Sequence, residues 1–151
     1  MATIEKTNIT VGVTIHMSVE KVWKFWTDPK HIIHWNNASD DWHTTKVEND
    51  LCPGGKFFSR MEAKDGSMGF DFTGKYNKIE PHKLIESTLD DNRKVQVFFI
   101  SNGNQTTIAE IFEAEQENTI ELQQAGWQSI LDNFKKYAET LDKMESLHFE
   151  K

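Results

Sequence analysis

Cysteine is nearly missing from this chain: Cys52 is the only one in 151 residues. No intramolecular disulfide can brace the fold, and a lone thiol suits a reducing, cytoplasmic setting. Long apolar runs are missing as well. The longest covers residues 97–100, far short of the roughly 20 residues of a membrane-spanning helix. The first residues, MATIEKTNITV, lack the apolar core of a signal peptide. Positive charge is in the minority, with 17 Lys and Arg against 24 Asp and Glu and a net charge of −7. A phosphate backbone would be repelled, which argues against nucleic-acid partners, and nothing points to a membrane.

Catalytic signatures are also lacking. The chain has no G-x-S-x-G elbow, phosphate loop, dinucleotide fingerprint or H-E-x-x-H. His31 and His34 are spaced i, i+3 and His43 follows. Zinc needs at least three such ligands at one point, which one cysteine and scattered histidines do not supply. No metal and no cofactor are implied.

What the chain does contain is bulk. Ten Phe and five Trp supply large side chains for one domain, and a chain of this size buries roughly 68–70% of its unfolded surface. After a polar stretch over residues 1–8, expected to fray, Ile9, Val11, Val13 and Ile15 alternate with polar residues or glycine, the period of a half-buried strand. Ser18 then caps a predicted helix over 19–26. Asp28 followed by Pro29 starts a second over 29–35. From Trp42 onward the pattern predicts six strands, at 42–48, 56–63, 68–79, 83–89, 94–100 and 106–114. Turn chemistry separates them, as at Asp65-Gly66 and Asn102-Gly103-Asn104. Connections this short favour antiparallel neighbours.

The last element is the longest. Ile120, Trp127, Ile130, Leu131, Phe134, Ala138 and Leu141 recur with a 3.6-residue period, which predicts one amphipathic helix over 118–141. Asn118 is placed to cap it, with Glu121 completing a capping box. A strand, two helices, six strands and one long helix make an α+β domain. A sheet of about seven strands curved around that helix buries both apolar faces.

The segments SVEKVWKFWTDP (18–29), DLCPGGKFFSRM (50–61), DGSMGFDFTGKY (65–76), LDDNRKVQV (89–97) and LQQAGWQSILDNFKKY (122–137) occur in that order. Together they resemble the family named for the activator of heat-shock-protein-90 ATPase homologue, within the START-like (SRPBCC) superfamily, over about residues 8–142. The resemblance implies a helix-grip fold with an enclosed apolar cavity. The superfamily's lipid carriers, hormone receptors and aromatase/cyclases leave the function open.

Strand phase turns Phe57, Ser59, Met61 and Ala63 to one face, and Met68, Phe70, Phe72, Gly74 and Tyr76 of the next strand to the same side. Trp127, Ile130, Leu131 and Phe134 of the long helix face them, with Trp23, Trp26 and Trp35 near one end. These rings either line a cavity for an apolar ligand or fill a solid core. Glu110 and Phe112 share the phase of Ile108 on the last strand. An inward Glu110 would have a raised pKa and acid–base capacity, whereas the competing phase turns Ala109 and Ile111 inward. Gln123 falls within the helix stripe, as a ligand anchor or bonded to nearby backbone. Gly126 leaves room for close helix–sheet packing or for a ligand. His43, beside Trp42 at the presumed mouth, completes the candidate set.

Three readings follow. The first is a non-catalytic domain binding a lipid-, polyketide- or aromatic-like ligand, as monomer or weak homodimer. The second is a cyclase- or lyase-type enzyme using Glu110. The third is a co-chaperone-like interaction module, set against the absence here of the additional N-terminal domain of the family's namesake.

Overall fold

Alternating apolar residues carry the chain into its first strand. The computed structural model describes residues 7–149, and β1 spans Asn8–Ile15 with Ile9, Val11 and Ile15 buried. The expected fraying of residues 1–6 lies outside the described residues. Thr7 and Asn8 depart from that expectation: the Thr7 carbonyl accepts from the Ala114 N–H at 2.8 Å, and Asn8 opens the strand.

Two helices follow, α1 (Val19–Thr27) and α2 (Pro29–Trp35). The Asp28 carboxylate accepts from the Lys30 N–H at 3.0 Å, and Pro29 sits at the first helical position, where a missing N–H costs little. Ser18 occupies the N-cap position of α1 in extended backbone, but its side chain makes no capping bond.

The meander comprises β2 (Trp42–Asn49), β3 (Lys56–Ala63), β4 (Gly69–Glu80), β5 (Leu84–Leu89), β6 (Lys94–Asn102) and β7 (Gln105–Glu113). Every pairing is antiparallel, in the order β1-β7-β6-β5-β4-β3-β2, so the first strand closes against the last. Gly66 and Gly103 adopt positive φ at two of the turns, a conformation a side chain would resist. Register slips between Thr44 and Lys46 and between Tyr76 and Lys78. Such bulges bend a strand and increase its twist, and these two help to curl the sheet into a half-barrel. Gly74 permits the curl locally. A Cβ there would stand 2.4 Å from the Phe57 ring, which lies across its backbone.

The long helix α3 runs Ile120–Phe149, starting later and ending later than its apolar period predicts. Thr119, not Asn118, is the capping residue: its hydroxyl accepts from the Leu122 N–H at 3.1 Å, while Asn118 donates its side-chain amide to Glu115. Leu131, Phe134 and Ala138 are fully buried, but Ile120, in the first turn, is 39% exposed. Beyond Leu141 the polar extension is tied back to α1 by a Lys21–Asp142 ion pair of 2.6 Å.

One polar flank of α3 seals the free edge of β1. Gln124 donates to the Thr10 carbonyl at 3.3 Å. Gln128 bonds both the N–H and the carbonyl of Gly12, Lys135 reaches the Thr14 carbonyl at 2.7 Å, and Glu139 accepts from the His16 N–H at 2.9 Å. An exposed edge strand is a template for unwanted pairing, and here side chains at helical spacing satisfy it. The helix is thereby drawn toward β1 and α2, which leaves space between its N-terminal half and β3–β5. No helix among the described residues is long and apolar enough to cross a membrane.

Candidate functional site

That space is a cavity of about 520 Å³, partly open to solvent, within the range of pockets that hold small molecules. Its closed end is aromatic. Trp26 and Trp35 stack at 4.7 Å, and Phe134 meets both edge-on at 5.1 and 4.9 Å. The Trp35 indole N–H is satisfied by the Phe25 carbonyl at 2.9 Å. From the sheet come Phe57, Ser59, Met61, Phe70, Phe72 and Tyr76, placed by the period-2 phase of β3 and β4. Phe57 packs against Phe72 at 5.9 Å and Tyr76 at 5.1 Å.

The helix contributes Gly126, Trp127 and Ile130. Trp127 spans the cavity top. It stacks on Phe112 at 3.8 Å, with planes 11° apart, and meets Phe72 edge-on at 6.2 Å. A Cβ placed on Gly126 would find nothing within 4 Å. Close helix–sheet packing therefore does not account for this glycine, and the space beside it belongs to the cavity.

Most polar groups of the wall are already engaged. The Tyr76 phenol donates to the Asn49 side chain, whose amide donates to the Thr27 carbonyl at 2.6 Å; burial pushes the phenol's pKa up and keeps it neutral. Asn36 donates to the Ser59 hydroxyl at 3.2 Å. Glu110 differs. Its inward phase is set by antiparallel register with Val11 on β1 and Val97 on β6, and the residue is only 7% exposed. Burial alone pushes its carboxyl up to about 8. No ion pair or hydrogen bond reaches it from the described residues, among which no fully buried side-chain oxygen or nitrogen lacks a partner. Its oxygens therefore meet the open space of the cavity.

Nine of the thirteen candidate residues lie on this wall: Trp26, Trp35, Phe57, Met61, Phe70, Phe72, Tyr76, Glu110 and Trp127. Four stand elsewhere. His43 is exposed, because in β2 it points opposite to buried Thr44. Phe112 and Leu131 are buried in the solid core, Phe112 supporting Trp127 from behind. Gln123 is buried but fully occupied, accepting from the Glu115 N–H at 2.9 Å and donating to the carbonyls of Glu115 (3.1 Å) and Asn118 (2.8 Å). It locks the β7–α3 connection. Met68, expected inside, is 67% exposed because it precedes β4 and belongs to the turn.

Residues outside the candidate set also line the wall, among them Ile85, Ser87 and Leu89 of β5 and Val95 and Val97 of β6. Buried alternate residues of β5 and β6 form this part of the inner face. Trp42 and half-exposed Phe70 meet at 5.7 Å on the rim. No group of metal-ligating side chains forms among the described residues. His31 bonds the Tyr137 hydroxyl at 2.8 Å, and burial lowers its pKa.

A curled antiparallel sheet gripping one long helix, with a cavity between them, defines a helix-grip domain of the START-like class. The chain belongs to the Activator of Hsp90 ATPase homolog 1-like protein family, whose model matches residues 16–139. It is 46% identical to an AHSA1-like protein of Aeromonas hydrophila, with a TM-score of 0.85 over 90% of this chain and 94% of that one. A Cytophaga hutchinsonii protein of known solution structure is 48% identical, with a TM-score of 0.77 over the same shares. Protein CV1439 of Chromobacterium violaceum, at 18% identity, shares the fold with a TM-score of 0.79 over 88% and 98% of the two chains. No curated protein matches the chain.

Proposed function

We propose that this domain binds a small hydrophobic molecule between the sheet and the N-terminal half of α3, as a non-catalytic carrier or sensor. The observation that carries the reading is the cavity of about 520 Å³, with its indole, phenyl and methionine walls. Burying apolar surface contributes about 25 cal/mol per Å², and a pocket already shaped needs little reorganisation to receive a guest. The mouth at Trp42 and Phe70 offers entry. Lone Cys52, exposed and without a partner thiol, suits a reducing cytoplasm. The domain acts without nucleic acid or membrane.

A panel of fatty acids, flavonoids and polyketides tests this by thermal melting. A ligand raises the midpoint with its concentration, and a flat response across the panel removes the reading. Native mass spectrometry of freshly purified protein would reveal a retained guest directly.

The inward Glu110 favours a second reading, in which the carboxyl serves as general acid or base on a bound substrate. Turnover of a bound panel member, lost in Glu110→Gln, would move the assignment from binding to catalysis.

A further inference from the structure

Among the described residues, Glu110 is the only Asp, Glu, Lys or Arg that is buried. A carboxyl set in an apolar wall with no hydrogen-bond partner from the protein is costly to the fold. Glu110 nevertheless sits well inside β7, between β1 and β6, where an apolar residue would pack at no such cost. Val11 and Val97 flank it in register, and the helix opposite presents Gly126, Trp127 and Ile130 to the same space. α1 and α2 contribute Trp26, Ile32 and Trp35, none of them a cation.

The other titratable groups on the wall are all engaged. The Tyr76 phenol is bonded to Asn49 on the β4 side. Glu48 of β2 is exposed and paired with Lys46 at 3.3 Å. Arg93, in the β5–β6 turn, is held by Asp91 at 2.7 Å. The cavity thus holds one unpaired acid among indole and phenyl faces, and no cation from the protein is in position to answer it.

Resting on the binding function proposed above, we propose that the cavity receives a hydrophobic amine, an apolar or aromatic body carrying one basic nitrogen, with Glu110 as the anion that fixes that nitrogen. The two recognition elements act together. A carboxylate forms a charge-assisted hydrogen bond with an ammonium, and aromatic faces within about 6 Å of a cation attract it further. Both gain strength away from water. Binding the protonated amine requires the Glu110 carboxyl to release its proton to solvent. Affinity therefore rises with pH until that carboxyl is ionised in the empty protein. A neutral guest has no such dependence.

Three matched probes test this: 1-naphthylmethylamine, 1-naphthylmethanol and 1-naphthylacetic acid. Each is titrated by calorimetry and indole fluorescence at pH 6, 7 and 8 into the full chain and into Glu110→Gln. The amine is expected to bind at least tenfold more tightly than the alcohol at pH 8, and to weaken about tenfold from pH 7 to pH 6, the loss expected for a site that must give up one proton. In Glu110→Gln the amine's advantage over the alcohol should collapse. The wild-type pH series stands even if that variant fails to fold. Equal, pH-independent binding of amine and alcohol overturns the amine assignment while leaving the apolar cavity in place. So does tightest binding of the acid, or an amine-to-alcohol ratio unchanged in Glu110→Gln. Failure of all three probes removes the binding function as well.

Discussion

Gly126 offers a direct test of whether the space beneath α3 is empty. Glycine in a helix interior costs roughly 1 kcal/mol relative to alanine, yet a Cβ here would meet no atom within 4 Å. Gly126→Ala should therefore recover most of that propensity, about 1 kcal/mol. For a domain of this size that corresponds to a rise of roughly 2–4 °C in Tm. Gly126→Leu keeps the same gain and sends three further carbons toward the cavity that Gly126 lines. It should be at least as stable as the wild type, while an apolar probe such as 1-naphthylmethanol loses affinity as its space is taken. Urea unfolding followed by circular dichroism, paired with probe titration, reads both effects. If the helix instead packed tightly on the sheet, the added side chain would overpack the core and cost about 1–3 kcal/mol. A Gly126→Leu variant destabilised to that extent, or one that binds the probe as the wild type does, would refute the reasoning.

Other residues give independent checks. The Glu110 carboxyl is raised to about 8 in the fold from an ordinary 4.5. The native state therefore binds more protons than the unfolded chain between those values, and stability falls as pH rises from about 5 to 8. Glu110→Gln should gain on the wild type across that window, by at most about 1.4 kcal/mol per pH unit; a constant difference in urea melts at pH 5, 6.5 and 8 would contradict this. Gln123→Ala breaks three hydrogen bonds around Glu115 and Asn118 and should cost about 1–3 kcal/mol. Lost probe affinity at unchanged stability would instead place Gln123 against the ligand. Thr119→Ala removes the α3 cap and should cost about 1 kcal/mol, more than Asn118→Ala if Thr119 is the residue that starts the helix. Leu131→Ala, at a fully buried site, should cost about 2–5 kcal/mol in the same melts.

The sequence by itself determined the kind and order of the elements. Period-2 alternation marks strands such as β1, turn residues separate the strands of the meander, and a 3.6-residue stripe marks the long helix, all of them local properties of the chain. Phase within β3 and β4 likewise decided that Phe57, Met61, Phe72 and Tyr76 face inward. Where both phases of a strand are apolar, local pattern was silent. Glu110 competes with Ala109 and Ile111, and only pairing with Val11 and Val97 turned it inside. Gln123 shows the same limit from the other side. Its helical phase buried it, but its partners come from the Glu115–Asn118 connection, whose path no periodicity describes.

Whether the aromatic interior is solid or hollow was decided by tertiary structure alone. Bulges beside Thr44 and Tyr76 bend the sheet away, while Gln128, Lys135 and Glu139 draw the helix onto the β1 edge. A cavity is the space left between two surfaces, and no single stretch of sequence specifies the distance between them.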